Sequence, residues 1–356
     1  MNIAIVCSFP LSGRGGMENV TSILVRELEN RGDQVTLILR TGNGDKTWAS
    51  NFKHIEIYCR GGWINKMYFY YKLTKELTSL RPNIIIGLDP LAIYASRFYR
   101  SIHKNEVRIG SWLHFTLASY RKKVRELISY ADFHLVISSG IAEEMKELIK
   151  SKKRSIDIVF IPTEPVANCI ARPAITTYIY MGRLTYDGQK RVNDFIYALS
   201  KLKGAWRAII IGDGADAEQL KKLAIELQID GKITWTGWVS KPWSYVEHAT
   251  ALVLSSQYEG FPGVLVEALN RGIACLSTDC KTGPKDIIVP GINGWLYPIN
   301  GINQLATLLQ QIIDHPEVLP SQKVIKQSAE PFMTNVVIDK MRNIMLREFK
   351  NLKLKV

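Results

Sequence analysis

Short apolar runs of about four to seven residues alternate, along almost the whole of this 356-residue chain, with stretches whose apolar residues recur at helical spacing. Strands buried on both faces need helices to cover them, so this alternation predicts parallel sheets wound with helices on both sides. In the first part of the chain the runs fall at residues 3–8, 35–39, 55–58, 83–87, 108–112, 133–137 and 157–161. A helix is predicted over 18–30, with Val20, Ile23, Leu24 and Leu28 as its buried stripe. The second part repeats the pattern with strands at 175–181, 206–211, 233–236, 251–254 and 274–277. In a sheet of this kind ligands bind beyond the carboxyl ends of the strands, so the loops that leave those ends are where function is sought.

Between the two series Pro162, Pro165 and Pro173 punctuate a stretch with little periodicity. The expected organisation is therefore a first domain over 1–165, a second over 174–334, and a last helix over 335–356 that returns to the first domain. With 46% hydrophobic residues, a chain of this length has enough apolar side chains for two cores. No apolar run reaches the roughly 18 residues of a membrane span. The first residues read as a strand and not a leader peptide, which makes a cytosolic protein the expectation. Cys7, Cys59, Cys169, Cys275 and Cys280 form no Cys-x-x-Cys pair and are expected as buried thiols, with no disulfide framework and no structural zinc.

The segment Glu259-Gly260-Phe261-Pro262-Gly263-Val264-Leu265-Val266-Glu267 joins a predicted strand to a predicted helix. Pro262 suits a first helical turn, and Gly260 and Gly263 let backbone approach a ligand closely. The free N–H groups of that turn attract a phosphate. Glu259 and Glu267 would repel a bare phosphate but accept hydrogen bonds from hydroxyls. A diphosphate between two polyhydroxylated rings meets both demands, and that ligand is a nucleotide sugar. Plain helix capping by the glutamates is the competing reading.

Upstream, Gly182-Arg183-Leu184-Thr185-Tyr186-Asp187-Gly188-Gln189-Lys190 leads from a strand into a helix starting near Val192. A guanidinium fork, an ammonium point charge and flexible backbone are the parts of an anion clamp. The next strand ends in Gly212-Asp213-Gly214-Ala215-Asp216-Ala217, formally a dinucleotide fingerprint. That reading requires an acidic residue at the end of the following strand, where Gly237-Trp238 stands instead, so the dehydrogenase alternative weakens. In the first half, paired Gly15 and Gly16 open a helix, although a tight turn without a ligand explains them equally well. Asp89, His114 and Ser138 to Gly140 lie where strands end; for a lone histidine a structural role is the competing explanation.

Taken together, the Glu-x7-Glu segment, the Gly-Arg-Leu…Lys loop, the Gly-Gly-x-Glu loop and the Gly-x-Asn-Gly turn at 291–294 resemble retaining glycosyltransferases of family 4 over nearly the whole chain. The resemblance implies an α/β GT-B fold, two Rossmann-like doubly wound domains facing a cleft, with acceptor binding in the first and nucleotide-sugar binding in the second. It implies that Arg183 and Lys190 grip a diphosphate and that Gly15 and Gly16 lie against it. His114 would reach the donor sugar, and the turn at Gly212 would precede the base-binding Trp238 and Val239. The catalytic candidates are thus Glu259, Arg183, Lys190 and His114. Gly182, Phe261, Pro262, Gly263, Val264 and Glu267 complete the donor-binding set. No Asp-x-Asp pair is present to hold a divalent cation, so no metal and no cofactor are expected beside a UDP-sugar co-substrate.

The formal net charge of +13 calls for an acidic partner. Residues 1–160 carry 24 Lys and Arg against 15 Asp and Glu, the remainder 22 against 18, so the first half is the basic one. Residues 63–72 interleave five aromatics with lysines, and Arg97, Arg100, Lys104, the run 121–125 and the run 150–154 add positive charge. Each run is by default a solvated face. Their concentration suits an anionic membrane surface, with the enzyme peripheral on its cytoplasmic side, or a phosphorylated, lipid-linked saccharide acceptor; nucleic acid is not expected. The wording of the 182–190 loop is similar to that of family members that add hexoses to lipopolysaccharide core, which implies galactose, or next glucose, as the sugar moved. Teichoic or capsular glycan transfer is the runner-up. A non-catalytic polyanion-binding protein on the same scaffold is the reading from another class.

Overall fold

The computed structural model describes residues 1–10, 16–41, 47–59, 63–103, 107–114, 116–150 and 154–353. The chain divides into two compact units, one of residues 1–162 with 334–356 and one of residues 163–333. Among the described residues no helix is long and apolar enough to cross a membrane.

The first unit is built on a parallel seven-stranded sheet. Its strands are β1 (Asn2–Cys7), β2 (Gln34–Thr41), β3 (His54–Tyr58), β4 (Ile84–Gly87), β5 (Arg108–Leu113), β6 (Phe133–Val136) and β7 (Ser155–Ile158). They lie in the order β3-β2-β1-β4-β5-β6-β7. Central β1 and β4 are buried almost throughout, as isoleucine-rich strands covered on both faces must be. Strand order reverses between β1 and β4, and Asp89 ties the two strand ends together there. Its carboxylate accepts from Ser8 N at 2.7 Å and Ser8 Oγ at 2.5 Å, and it caps helix Pro90–Ile102 by accepting from the N–H groups of Leu91 and Ala92. Asp89, expected on a functional rim, is fully engaged in holding the fold. Ser138 likewise caps helix Ser139–Leu148, accepting from Ile141 N.

Helix Gly16–Asn30 buries the predicted stripe of Val20, Ile23, Leu24 and Leu28. The last strand of this sheet pairs over Ser155–Ile158, two residues earlier than its apolar run suggests, because register with β6 begins at Phe133↔Ser155. Helix Thr334–Lys353 belongs to this unit; Arg342 reaches Asp33 at 2.6 Å and Arg347 reaches Asp157 at 2.7 Å. Helix Trp63–Leu80 buries Phe69 and exposes Met67, Tyr68 and Tyr71, so the aromatic-rich stretch is core on one side only.

The second unit carries a parallel six-stranded sheet: β8 (Thr176–Met181), β9 (Trp206–Ile211), β10 (Ile233–Gly237), β11 (Ala251–Leu254), β12 (Ala274–Thr278) and β13 (Gly294–Tyr297). The order is β10-β9-β8-β11-β12-β13. The Gly291 to Leu296 segment, expected as a turn, has as its second half the edge strand β13, four residues long and opened by a glycine, too short to show a strand pattern. Four cysteines are buried as expected, but Cys169 is exposed because it sits in the irregular segment between the proline residues.

Candidate active site

In the second unit the switch point lies between β8 and β11, whose following loops must diverge to opposite sides of the sheet. Those loops are 182–191 and 255–262, the two that the sequence singles out. They are joined by hydrogen bonds from Ser255 Oγ to the Lys190 carbonyl at 2.9 Å and from Gln257 N to the Gln189 carbonyl at 2.8 Å. On its other flank the second loop is held by the segment after β12. Thr278 Oγ1 donates to the Ser256 carbonyl at 2.5 Å, and Thr282 Oγ1 donates to the Glu259 carbonyl. Gly283 has φ +93°, and a Cβ there would stand 2.6 Å from Pro262 Cδ, so only glycine lets these segments close up.

Glu259 is buried at the centre of this frame. Its Oε1 accepts from Lys190 Nζ at 2.6 Å and from Ser256 Oγ at 2.6 Å. Among the described residues Oε2 has no hydrogen-bond partner in the structure. Glu267, on helix Gly263–Leu269, is built the same way: Oε2 accepts from Trp243 Nε1 at 2.6 Å and Oε1 is left open. Burial raises the Glu267 pKa, opposed by the Trp243 hydrogen bond and by the charge of Arg271. Arg271 lies 4.4 Å from the centre of the Trp243 ring and donates to the Glu267 carbonyl, which completes a Trp–Glu–Arg set. Each glutamate thus has one oxygen fixed by the protein and one able to accept from a ligand hydroxyl.

Arg183 is exposed, and among the described residues no partner holds its guanidinium; its carbonyl takes the Tyr180 hydroxyl at 3.0 Å. The helix after Pro262 has no side-chain cap, so its first N–H groups remain available. Pro262 and Phe261 are buried, the latter with its ring 5.7 Å from that of Phe332, whereas Gly263 and Val264 are half-buried.

Gly212 packs backbone on backbone. Its φ is +139°, its N–H donates to the Gly237 carbonyl at 3.0 Å, and a Cβ would lie 1.9 Å from the Gly182 oxygen. The glycine pattern that mimics a dinucleotide fingerprint is here what lets the loops after β8 and β9 touch. Trp238 is 65% exposed and so is no part of the core, and Val239 is half-buried.

In the first unit Gly16 opens a helix and is exposed, and Gly15 lies outside the described residues. His114 follows β5, with its ring 4.4 Å from that of Trp112. Its Nε2 is buried without a partner, and burial lowers its pKa to about 4, so the ring is neutral at physiological pH. Sequence reasoning missed Ser256, Thr282 and Trp243. Two serines directly after a strand were the available signal for the first; nothing in the sequence links Trp243 to Glu267.

The family described as Glycosyltransferase Family 4 matches residues 14–162, and Glycosyl transferases group 1 matches 175–330. The chain is 34% identical over 347 residues to the lipopolysaccharide 1,6-galactosyltransferase of Escherichia coli K12, covering 94% of this chain and 96% of that one. It is 35% identical to the enzyme of that name from Salmonella typhimurium, with 90% and 92% covered. Among solved structures, the lipopolysaccharide outer core galactosyltransferase WaaB in its apo form superposes with TM-score 0.89 at 33% identity, over 98% of this chain and 100% of that one. Anabaena HepE in complex with UDP shares the fold, with TM-score 0.82 at 14% identity over 98% and 100%.

Proposed function

The chain belongs to glycosyltransferase family 4 and has the GT-B fold, and we propose that it moves galactose from UDP-galactose onto a lipopolysaccharide-core saccharide with retention at the anomeric carbon. The pair of half-open glutamates, one of them holding Lys190, carries this reading. A nucleotide sugar brings hydroxyls to the open oxygens and a diphosphate to Lys190 and Arg183. The substrate is taken from the relatives, whose names state a 1,6-galactosyl transfer on lipopolysaccharide.

In this scheme Glu259 Oε2 accepts from a sugar hydroxyl and Glu267 Oε1 from the ribose. Trp238 and Val239 receive the uracil, and His114 meets the donor sugar as a neutral imidazole. Lys190 has three N–H bonds, so it keeps Glu259 and still donates to a phosphate oxygen. Arg183 and the uncapped helix start add to it. Negative charge grows on UDP as the sugar–phosphate bond breaks, and these groups stabilise the leaving group more than the ground state. Same-face attack, with the leaving phosphate taking the acceptor proton, gives retention without a protein nucleophile. No metal is needed in this scheme. The second unit serves the donor and the first the acceptor, at the cytoplasmic face of a membrane.

The test is turnover with UDP-galactose, UDP-glucose, UDP-N-acetylglucosamine and GDP-mannose, using lipopolysaccharide core that lacks the branch as acceptor. UDP-galactose is expected to dominate, with an α-linked product and no loss on adding EDTA. A different preferred donor, a β-linked product, or activity that EDTA abolishes and Mg²⁺ restores overturns the corresponding part.

A further inference from the structure

We infer that the first unit holds a second anion site, for a phosphate monoester, where Arg100, Arg154 and His134 meet at the amino-terminal ends of β6 and β7. It lies at the opposite end of the sheet from His114, which follows the carboxyl end of β5. Register sets the arrangement. Phe133 pairs with Ser155 and His134 with Ile156, so Arg154 enters beside Asp132, and alternation puts Asp132, His134 and Arg154 on one face of the sheet.

Asp132 is the acidic neighbour, but both its oxygens are committed: Oδ1 accepts from Arg100 Nη1 at 2.6 Å and Oδ2 from Ile109 N at 2.9 Å. Arg154 Nη1 is buried with no hydrogen-bond partner among the described residues. His134 is 0% exposed; its Nδ1 meets Ser111 Oγ at 2.8 Å while Nε2 is buried and has no partner among the described residues. In the tautomer in which Ser111 donates to Nδ1, Nε2 carries the proton, and His134 and Arg154 each hold a buried donor that no described residue meets. The charge of Arg154 also acts on His134, whose pKa is lowered to about 3, first by burial and then by that charge.

A buried donor left unmet keeps its full desolvation cost, so something accepts from these groups. Charge discriminates between water and an anion. Arg100 and Arg154 stand with the single carboxylate of Asp132, one positive charge in excess, and the charge of Arg108, which lies 3.9 Å from Glu348, adds to the repulsion. Burial and the repulsion of Arg100 and Arg108 lower the Arg154 pKa, opposed by the attraction of Asp132. A water molecule accepts a bond and leaves that repulsion in place; a dianionic oxyanion removes it and matches the guanidinium fork. Arg100 and Arg154 are both partly exposed to solvent.

The experiment is calorimetric titration of the full chain, saturated with UDP so that the nucleotide site is closed, with inorganic phosphate at low ionic strength. One equivalent is expected to bind, at least tenfold more weakly in Arg154→Gln, with UDP affinity unchanged. In parallel, ¹⁵N-histidine spectra are expected to show phosphate moving one imidazole resonance that is missing in His134→Asn. Glucose 6-phosphate and phosphatidate vesicles identify the source: tighter binding of the former marks a phosphosaccharide, of the latter a lipid headgroup. Absence of phosphate binding to the wild-type chain, or equal binding by Arg154→Gln, overturns the site and leaves an ordered water there.

Discussion

At the scale of single residues, the shared design of Glu259 and Glu267 makes separable predictions. Glu267→Ala is expected to weaken UDP binding by about 1.5–3 kcal/mol, because a ribose hydroxyl loses a charged acceptor. Trp243→Phe keeps an aromatic ring beside Arg271 but loses the pyrrole half of the indole, and with it the N–H that orients Glu267, so a smaller loss in the same direction is expected. Calorimetry with UDP measures both, and unchanged affinity in each would take Glu267 out of the site. Lys190→Ala and Arg183→Ala should lower kcat more than they raise the donor KM, since leaving-group charge is largest in the transition state; an effect on KM alone would make them ground-state anchors. His114 predicts a pH dependence. Its folded pKa of about 4 lies below its ordinary 6.5, so between those values the unfolded chain binds more protons. Its contribution to stability is complete above pH 6.5 and is lost as pH falls towards 4. Urea unfolding across that window should show a shallower decline for His114→Asn than for wild type.

Elements matter here because loops that leave neighbouring strands are locked to one another. The 255–262 loop is held by the Gln189–Lys190 carbonyls on one flank and by Thr278 and Thr282 on the other. Rigid support of this kind keeps catalytic groups in place without the ligand. Gly212 is the tightest point, since any Cβ would collide with the Gly182 oxygen in a backbone region that L residues avoid. Gly212→Ala is therefore expected to destabilise by about 3 kcal/mol, through the strain and overpacking of a close backbone contact. Denaturant unfolding measures it; a loss below 0.5 kcal/mol would mean that the two loops part at little cost.

For the molecule as a whole, the distribution of charge is the property that no single element carries. The first half holds most of the positive excess. Helix Trp63–Leu80 presents Met67, Tyr68 and Tyr71, with Lys72 lying 5.6 Å from the centre of the Tyr68 ring, and helix Lys122–Arg125 has no buried residue. The side chain of Trp63 lies outside the description. Basic residues near an anionic surface contribute about 1 kcal/mol each, screened over about 8 Å at physiological salt. Co-sedimentation with phosphatidylglycerol vesicles is thus expected at low salt, to fall steeply as salt rises, and to drop further in Lys122→Glu/Lys123→Glu. Indifference to anionic lipid, with turnover on a soluble phosphorylated oligosaccharide intact, would make this surface an acceptor groove and not a membrane face.

The parallel sheets were legible from the sequence because short isoleucine- and valine-rich runs, buried on both faces, alternate with amphipathic stretches of helical period. The loops of the candidate site were legible for a related reason: glycine, proline and charge must stand at strand ends for backbone to approach a phosphate. Where pattern was weak, tertiary pairing decided. β13 is a strand because β12 offers it an edge, and β7 starts where β6 sets its register. The partners of the charged groups were also decided there. Lys190 rests on Glu259 at a separation of 69 residues, Trp243 holds Glu267 from another loop, and Arg154 Nη1 has no hydrogen-bond partner among the described residues while Asp132 is taken by Arg100 and Ile109. Strand and helix periods are properties of neighbours along the chain, whereas a buried charge takes whichever partner the fold brings within reach, and only the packed structure determines which that is.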